Sequence, residues 1–177
     1  MTDALPDLEF IVDHLLGRRL PDVELHATDG TTLKVSTLYG LTVFYMYPRT
    51  SPPNGPAIAR WSDIPGAKGC TPQSCGFRDH FAELQAVGVE NVFGVSTQST
   101  DYQSEVVDRL HLPFALLSDA ELKLQRALNL PTFSAADMVL LHRLTLIARD
   151  GIIEKVFHGI IDPAANATDV LDYLSGT

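Results

Sequence analysis

Cysteine is nearly missing from this chain, at two of 177 residues. That excludes a disulfide-stapled scaffold, which relies on several bridges to make up for a small core. Positive charge is scarce as well. Thirteen Lys and Arg face 22 Asp and Glu, for a formal net charge of −9. Nucleic acid and anionic membranes both reward clustered cations, so neither is expected as a partner. No stretch approaches the ~18 consecutive apolar residues of a membrane-spanning helix. The opening Met1-Thr2-Asp3-Ala4 has no basic segment followed by an apolar one, so no secretory leader is expected. Internal repeats and low-complexity tails are also lacking. A cytoplasmic location follows as the expectation, and 45% hydrophobic content in 177 residues suits one domain with a sizeable core.

What is present alternates between two periods. Leu5, Leu8, Ile11, Val12, Leu15 and Leu16 mark an amphipathic helix ending at Gly17. We read residues 1–19 as a helical extension and 20–177 as the domain proper. Strands are expected at Val23–Ala27 and Thr32–Val35 around an Asp29-Gly30 turn, with a helical turn at Ser36–Leu38. Leu41–Tyr47 is a continuous β-rich apolar run, which suits a central strand buried on both faces. Residues 48–68 contain Pro48, Pro52, Pro53, Pro56 and Pro65, so regular structure cannot run through them; Trp61 gives that loop one large apolar anchor.

Further on, a strand at Asn91–Ser96 is followed by a helix capped by Thr100 or Asp101 and reaching Leu110. A strand at Phe114–Leu117 and a helix from Asp119 to Leu128 come next. Val139–Ala148 and Ile152–His158 flank Asp150-Gly151, a strong hairpin signal, and Pro163 opens a closing helix. The alternation predicts an α/β sheet with helices on both faces.

Both cysteines lie in Gly69-Cys70-Thr71-Pro72-Gln73-Ser74-Cys75-Gly76-Phe77-Arg78-Asp79. Thr71 is a suitable N-cap and Pro72 suits the first helical position. Phe77, Phe81, Leu84 and Val87 continue the helical period as far as Gly88. Five residues of helix rise about 7.5 Å, which leaves the two Cα atoms roughly 8–9 Å apart and beyond the ~7 Å reach of a disulfide. Either the thiols never pair, or oxidation is coupled to local unwinding. A helix N-terminus stabilises a thiolate.

These residues resemble the peroxiredoxins, and most nearly the peroxiredoxin Q or bacterioferritin comigratory protein branch. The likeness starts at Tyr47-Pro48 and the cysteine motif. It continues through Asn91–Ser96, Leu112–Asp119 and Arg143–Gly151, and covers roughly residues 20 to 175. The resemblance implies a thioredoxin-like fold with a central mixed sheet, and thiol-dependent reduction of hydroperoxides. Cys70 would be the peroxidatic cysteine, Cys75 the resolving one, and Arg143 the arginine that polarises the peroxide; Arg78 is a further helper candidate. A Cys70–Cys75 disulfide would be reset by thioredoxin or a similar dithiol. No metal or cofactor is implied, and the chain would act as a monomer or homodimer.

Departures from the family pattern lie upstream of Cys70. The family places a proline seven residues, and a Thr or Ser three residues, before that cysteine, where this chain has Asp63 and Ala67. Pro48 is the matching proline, which makes 48–68 an insertion. Thr50, Ser51 and Thr71 are the hydroxyls that could replace the one absent at Ala67. Losing an oriented donor costs on the order of 10²–10³ in rate. Competing readings are a redox sensor with weak peroxidase activity, a zinc site on Cys70, Cys75 and His80, and a non-catalytic interaction module. Zinc ordinarily takes closer cysteine spacing and four ligands.

Overall fold

The computed structural model describes residues 12–50 and 67–176. The predicted helix from Leu5 to Leu16 lies mostly outside them; its described end is one 3-10 turn, Asp13–Leu15. Ser51, Trp61 and most of the Pro-rich loop also lie outside.

Seven strands form one sheet: β1 (Glu24–Ala27), β2 (Thr32–Lys34), β3 (Leu41–Met46), β4 (Val89–Ser96), β5 (Leu116–Ser118), β8 (Leu144–Arg149) and β9 (Ile152–Phe157). Their order is β2-β1-β5-β4-β3-β8-β9. A separate hairpin holds β6 (Thr132–Ala135) and β7 (Met138–Leu141). β3 is the axis of the sheet, parallel to β4 on one side and antiparallel to β8 on the other. All six of its residues are buried, as the unbroken apolar run anticipates. Among the described residues five α-helices accompany the strands: α1 (Cys70–Asp79), α2 (Phe81–Ala86), α3 (Thr100–Leu110), α4 (Lys123–Leu128) and α5 (Asn166–Leu174). None of the described helices is long and apolar enough to cross a membrane.

Side chains on a strand point alternately to its two faces. Phe44 and Met46 of β3 and Leu144, Leu146 and Ala148 of β8 join one core cluster. Val43 and Tyr45 of β3, with Tyr47 and Ile147, join the other, together with Cys70, Phe77, Val106 and Val170. Odd-numbered positions of β3 and β8 therefore face α1 and α5.

Several boundaries differ from the sequence expectation. The single strand expected over Val139–Ala148 is two, because 138–141 pair with 132–135 and His142 N–H donates to the Pro131 carbonyl. β5 begins at Leu116 rather than Phe114. Ser99, not Thr100 or Asp101, caps α3, its hydroxyl accepting from Tyr102 N–H. Asp119 does serve α4, accepting from Leu124 and Gln125 N–H, although it stands ahead of the cap residue Leu122. The expected helix to Val87 is split at His80, whose φ of −102° and ψ of 10° leave helical geometry. Thr71 is not the cap of α1. Gly69 is, at φ 104°, a left-handed conformation that glycine adopts without strain, and its carbonyl takes the first helical bond from Gln73 N–H. Cys70 is thus the first residue of the helix.

Candidate active site

The first turn of α1 faces the sheet where β8 begins. Arg143 immediately precedes β8, and its odd number gives it the parity of Thr145 and Ile147, toward α1. Its guanidinium is almost fully buried, at 4% exposure. Nη2 donates to the Lys68 carbonyl at 2.8 Å and more weakly to the Ala67 carbonyl at 3.5 Å. The same nitrogen lies 3.3 Å from Cys70 Sγ. Nη1 donates to Gln73 Oε1 at 2.5 Å. Arg143 therefore ties the loop before the helix, the cysteine and the helix's first turn to one cation. A thiolate at Cys70 would place an anion directly against a buried positive charge.

Cys70 is 4% exposed, and its thiol also reaches the Ala67 carbonyl at 3.8 Å. Cys75 is half-buried on the same helix, packed at the edge of the apolar cluster that contains Cys70, and both thiols are free. Pro48 is buried where β3 ends. Tyr47 N–H still bonds the Val95 carbonyl at 3.0 Å, and Pro48, with no N–H to offer, cannot carry the strand further.

Thr50 is buried, and its described bonds run to the β4–α3 region. Its N–H and hydroxyl donate to Gln98 Oε1 at 3.1 and 3.4 Å, and its carbonyl accepts from Gln98 Nε2 and Tyr102 Oη. Arg78 points away from Cys70, donating to the Leu110 carbonyl at 2.8 Å and to Asp79 at 2.9 Å. It fastens α1 to the end of α3. His80 pairs with Glu83 at 2.9 Å, and among the described residues no group of three or more His, Cys, Asp or Glu could hold a metal ion.

Three polar residues of this site went unread in the sequence. Gln73 and Asn166 are fully buried, as is Thr145. Gln73 Nε2 donates to Asn166 Oδ1 at 3.1 Å, and Thr145 Oγ1 donates to the same oxygen at 2.6 Å. The helical period held a clue to Gln73, which shares the buried stripe of α1 with Cys70, Ser74 and Phe77. Beneath the helix, Tyr45 stacks on Phe77 with centroids 4.6 Å apart and donates to Ser74 Oγ at 3.0 Å. Burial raises the phenol pKa values of both Tyr45 and Tyr47, so these hydroxyls stay protonated.

A cysteine at a helix start against a buried arginine can attack an electrophile, and a second thiol in the next turns can accept the oxidised product. Known proteins share the arrangement's framework. Peroxidoxin BcpB from Mycobacterium tuberculosis superposes with a TM-score of 0.72 at 23% identity, over 90% of this chain and 96% of that one. The thioredoxin-like α/β fold expected from the sequence is therefore the fold of this chain. Peroxiredoxin Bcp of Bacillus subtilis is 36% identical over 118 residues, 64% of this chain but only 63% of that protein's length. Peroxiredoxin Bcp of Escherichia coli K12 is 31% identical over 146 residues, 80% of this chain and 83% of that one. The family model described as Redoxin matches residues 15–171. On these grounds the chain belongs to the Redoxin family, among the peroxiredoxins of the Bcp and Q kind.

Proposed function

We propose that this chain is a thiol-dependent peroxidase that reduces hydrogen peroxide or organic hydroperoxides, with Cys70 as the attacking group. The observation that carries the reading is Arg143 Nη2 at 3.3 Å from the sulfur of a cysteine that opens a helix. The Cys70 thiolate attacks one peroxide oxygen and an S–O bond forms as the O–O bond breaks. The departing oxygen takes a proton and leaves as water or alcohol. Sulfur is oxidised by two electrons to a sulfenic acid, and the peroxide is reduced by two. Arg143 stabilises the charge that develops on the leaving oxygen. Cys75 then attacks the Cys70 sulfur, an S–S bond forms, and the sulfenic oxygen leaves as water. Two electrons from thioredoxin or a similar dithiol restore both thiols.

The second step requires α1 to unwind, because two residues five apart on a helix are too distant to bond. In this reading residues 20–177 are the catalytic domain, 48–68 an insertion into its active-site segment, and 1–19 an N-terminal extension. The protein works in the cytoplasm as a monomer or homodimer, and Pro48 and Thr50 line the peroxide's approach.

Peroxide consumption coupled to thioredoxin tests the proposal. Cys70→Ser should abolish turnover. Cys75→Ser should permit one stoichiometric reaction and leave a sulfenic acid that a trapping reagent captures. Intact mass after peroxide treatment of the native chain should fall by two hydrogens. Full activity in Cys70→Ser would end the reading.

A further inference from the structure

We infer that Asn166 is a positioning residue which, through Gln73, holds α1 in its wound form and so sets how fast the Cys70 sulfenic acid is resolved by Cys75. The inference rests on the peroxidase reading above and adds a control point to it. Asn is a common helix cap, but Asn166 is not used as one: the cap of α5 is Ala165, with no side-chain cap bond. Its oxygen instead accepts from Thr145 Oγ1 and Gln73 Nε2.

The direction of these bonds is forced. A guanidinium only donates, so Gln73 must turn its oxygen to Arg143 and its nitrogen to Asn166. Asn166 must then present its oxygen, and Thr145 supplies the second donor. The network has one polarity from Arg143 through to Thr145. Gln73 also lies in the segment between Cys70 and Cys75, which has to unwind for the disulfide to form. Unwinding takes Gln73 off both Arg143 and Asn166, so these bonds stabilise only the wound state.

The same stretch is pressed onto the turn that leads into α5. A Cβ at Gly69 would lie 2.6 Å from Pro163 Cγ, and one at Gly76 would lie 2.8 Å from the Ala164 carbonyl oxygen. Residues 163–166 thus form the platform on which the wound helix rests.

Asn166→Leu and Thr145→Val test this, with Thr145→Ser to restore the hydroxyl. Rapid-quench mass spectrometry follows sulfenic acid and disulfide separately. Asn166→Leu strands Gln73 Nε2 in the wound state and should speed disulfide formation by on the order of tenfold. Sulfenic acid formation should slow, because Gln73 no longer aligns Arg143. Thr145→Val should shift both rates the same way by less, and Thr145→Ser should return them to wild type. Amide hydrogen exchange on the reduced protein reads the same equilibrium without peroxide; residues 70–79 should exchange faster in Thr145→Val while β4 is unchanged. Disulfide formation at the wild-type rate in both loss variants, or slowed in step with a general loss of stability, overturns the inference. A wild type that forms the sulfenic acid but never the Cys70–Cys75 bond overturns the inference and leaves Cys70 as the attacking group, whereas a wild type that forms no sulfenic acid overturns the peroxidase reading; unchanged exchange in α1 overturns the inference independently.

Discussion

Replacing Arg143 with methionine removes the guanidinium and keeps most of the apolar stem. Among the described residues two strong bonds disappear, to the Lys68 carbonyl at 2.8 Å and to Gln73 Oε1 at 2.5 Å. The buried Gln73 oxygen left bare costs about 1–3 kcal/mol, and the half-buried Lys68 carbonyl costs less because water can reach it. Against that, the native state no longer holds a buried cation, whose effective desolvation penalty is several kcal/mol. The two terms oppose each other, so we expect global stability to change by no more than about 2 kcal/mol. The effect on rate has no such offset. Only the transition state carries charge on the departing oxygen, and losing a preorganised donor to it costs about 2.7–4 kcal/mol, or 10²–10³ in rate. Lysine should recover little, since one ammonium cannot reach Gln73, Lys68 and the sulfur together. Quenched sulfenic acid formation, measured beside urea midpoints, separates the two effects. A folded Arg143→Met protein that reacts within about threefold of wild type would refute the electrostatic role, since threefold is well under 1 kcal/mol.

Gly76→Ala should destabilise the reduced protein by about 1–3 kcal/mol, because the added methyl meets a backbone oxygen at 2.8 Å; an unchanged urea midpoint would mean that α1 is not docked on residue 164. Burial raises the Asp119 carboxyl above its ordinary 3.8, although backbone N–H groups of Leu124 and Gln125 act against the rise. The native state therefore holds that proton more firmly than the unfolded chain does. The stability of wild type relative to Asp119→Asn should grow as pH falls through the raised value toward 3.8, and a difference that is flat with pH would refute this. Thr50→Val should leave stability within about 1 kcal/mol, since the Thr50 N–H and carbonyl keep their bonds to Gln98 and Tyr102. It should slow sulfenic acid formation by on the order of 10² as the oriented hydroxyl is lost. An unchanged rate would remove Thr50 from the chemistry and leave it as an anchor of the β3 end.

The parts of the fold legible in the sequence are those that short-range physics decides alone. The run Leu41–Tyr47 could only be a strand buried on both faces, and Asp150-Gly151 is a two-residue turn with φ of 50° and 83°. The β6–β7 hairpin escaped because Ala136 and Asp137, both at positive φ, carry no glycine to announce the turn. Similarly, the start of α1 was misread because Thr71-Pro72 is a convincing cap pair by composition. Pro163 competes for the space beside Gly69, and that crowding is visible only in three dimensions.

The site divides along the same line. Cys70 and Cys75 declare themselves through scarcity and spacing, and Arg143 through a familiar motif. Gln73, Thr145 and Asn166 do not, because each has an innocent local explanation: a polar helix residue, a β-branched strand residue and a helix-start asparagine. Parity could have narrowed the choice, since Thr145 stands two residues after Arg143 on the same face of the chain. Nothing local could have brought Asn166 to Gln73 across 93 positions. What joins them is the antiparallel return of β8 beside β3, which brings Arg143 and Thr145 under α1, and the turn at Pro163–Ala165, which delivers α5 to the same place. Cys70, the cysteine we propose as reactive, was therefore readable from its own neighbourhood. The buried polar groups bonded behind its helix were not, because they belong to the topology.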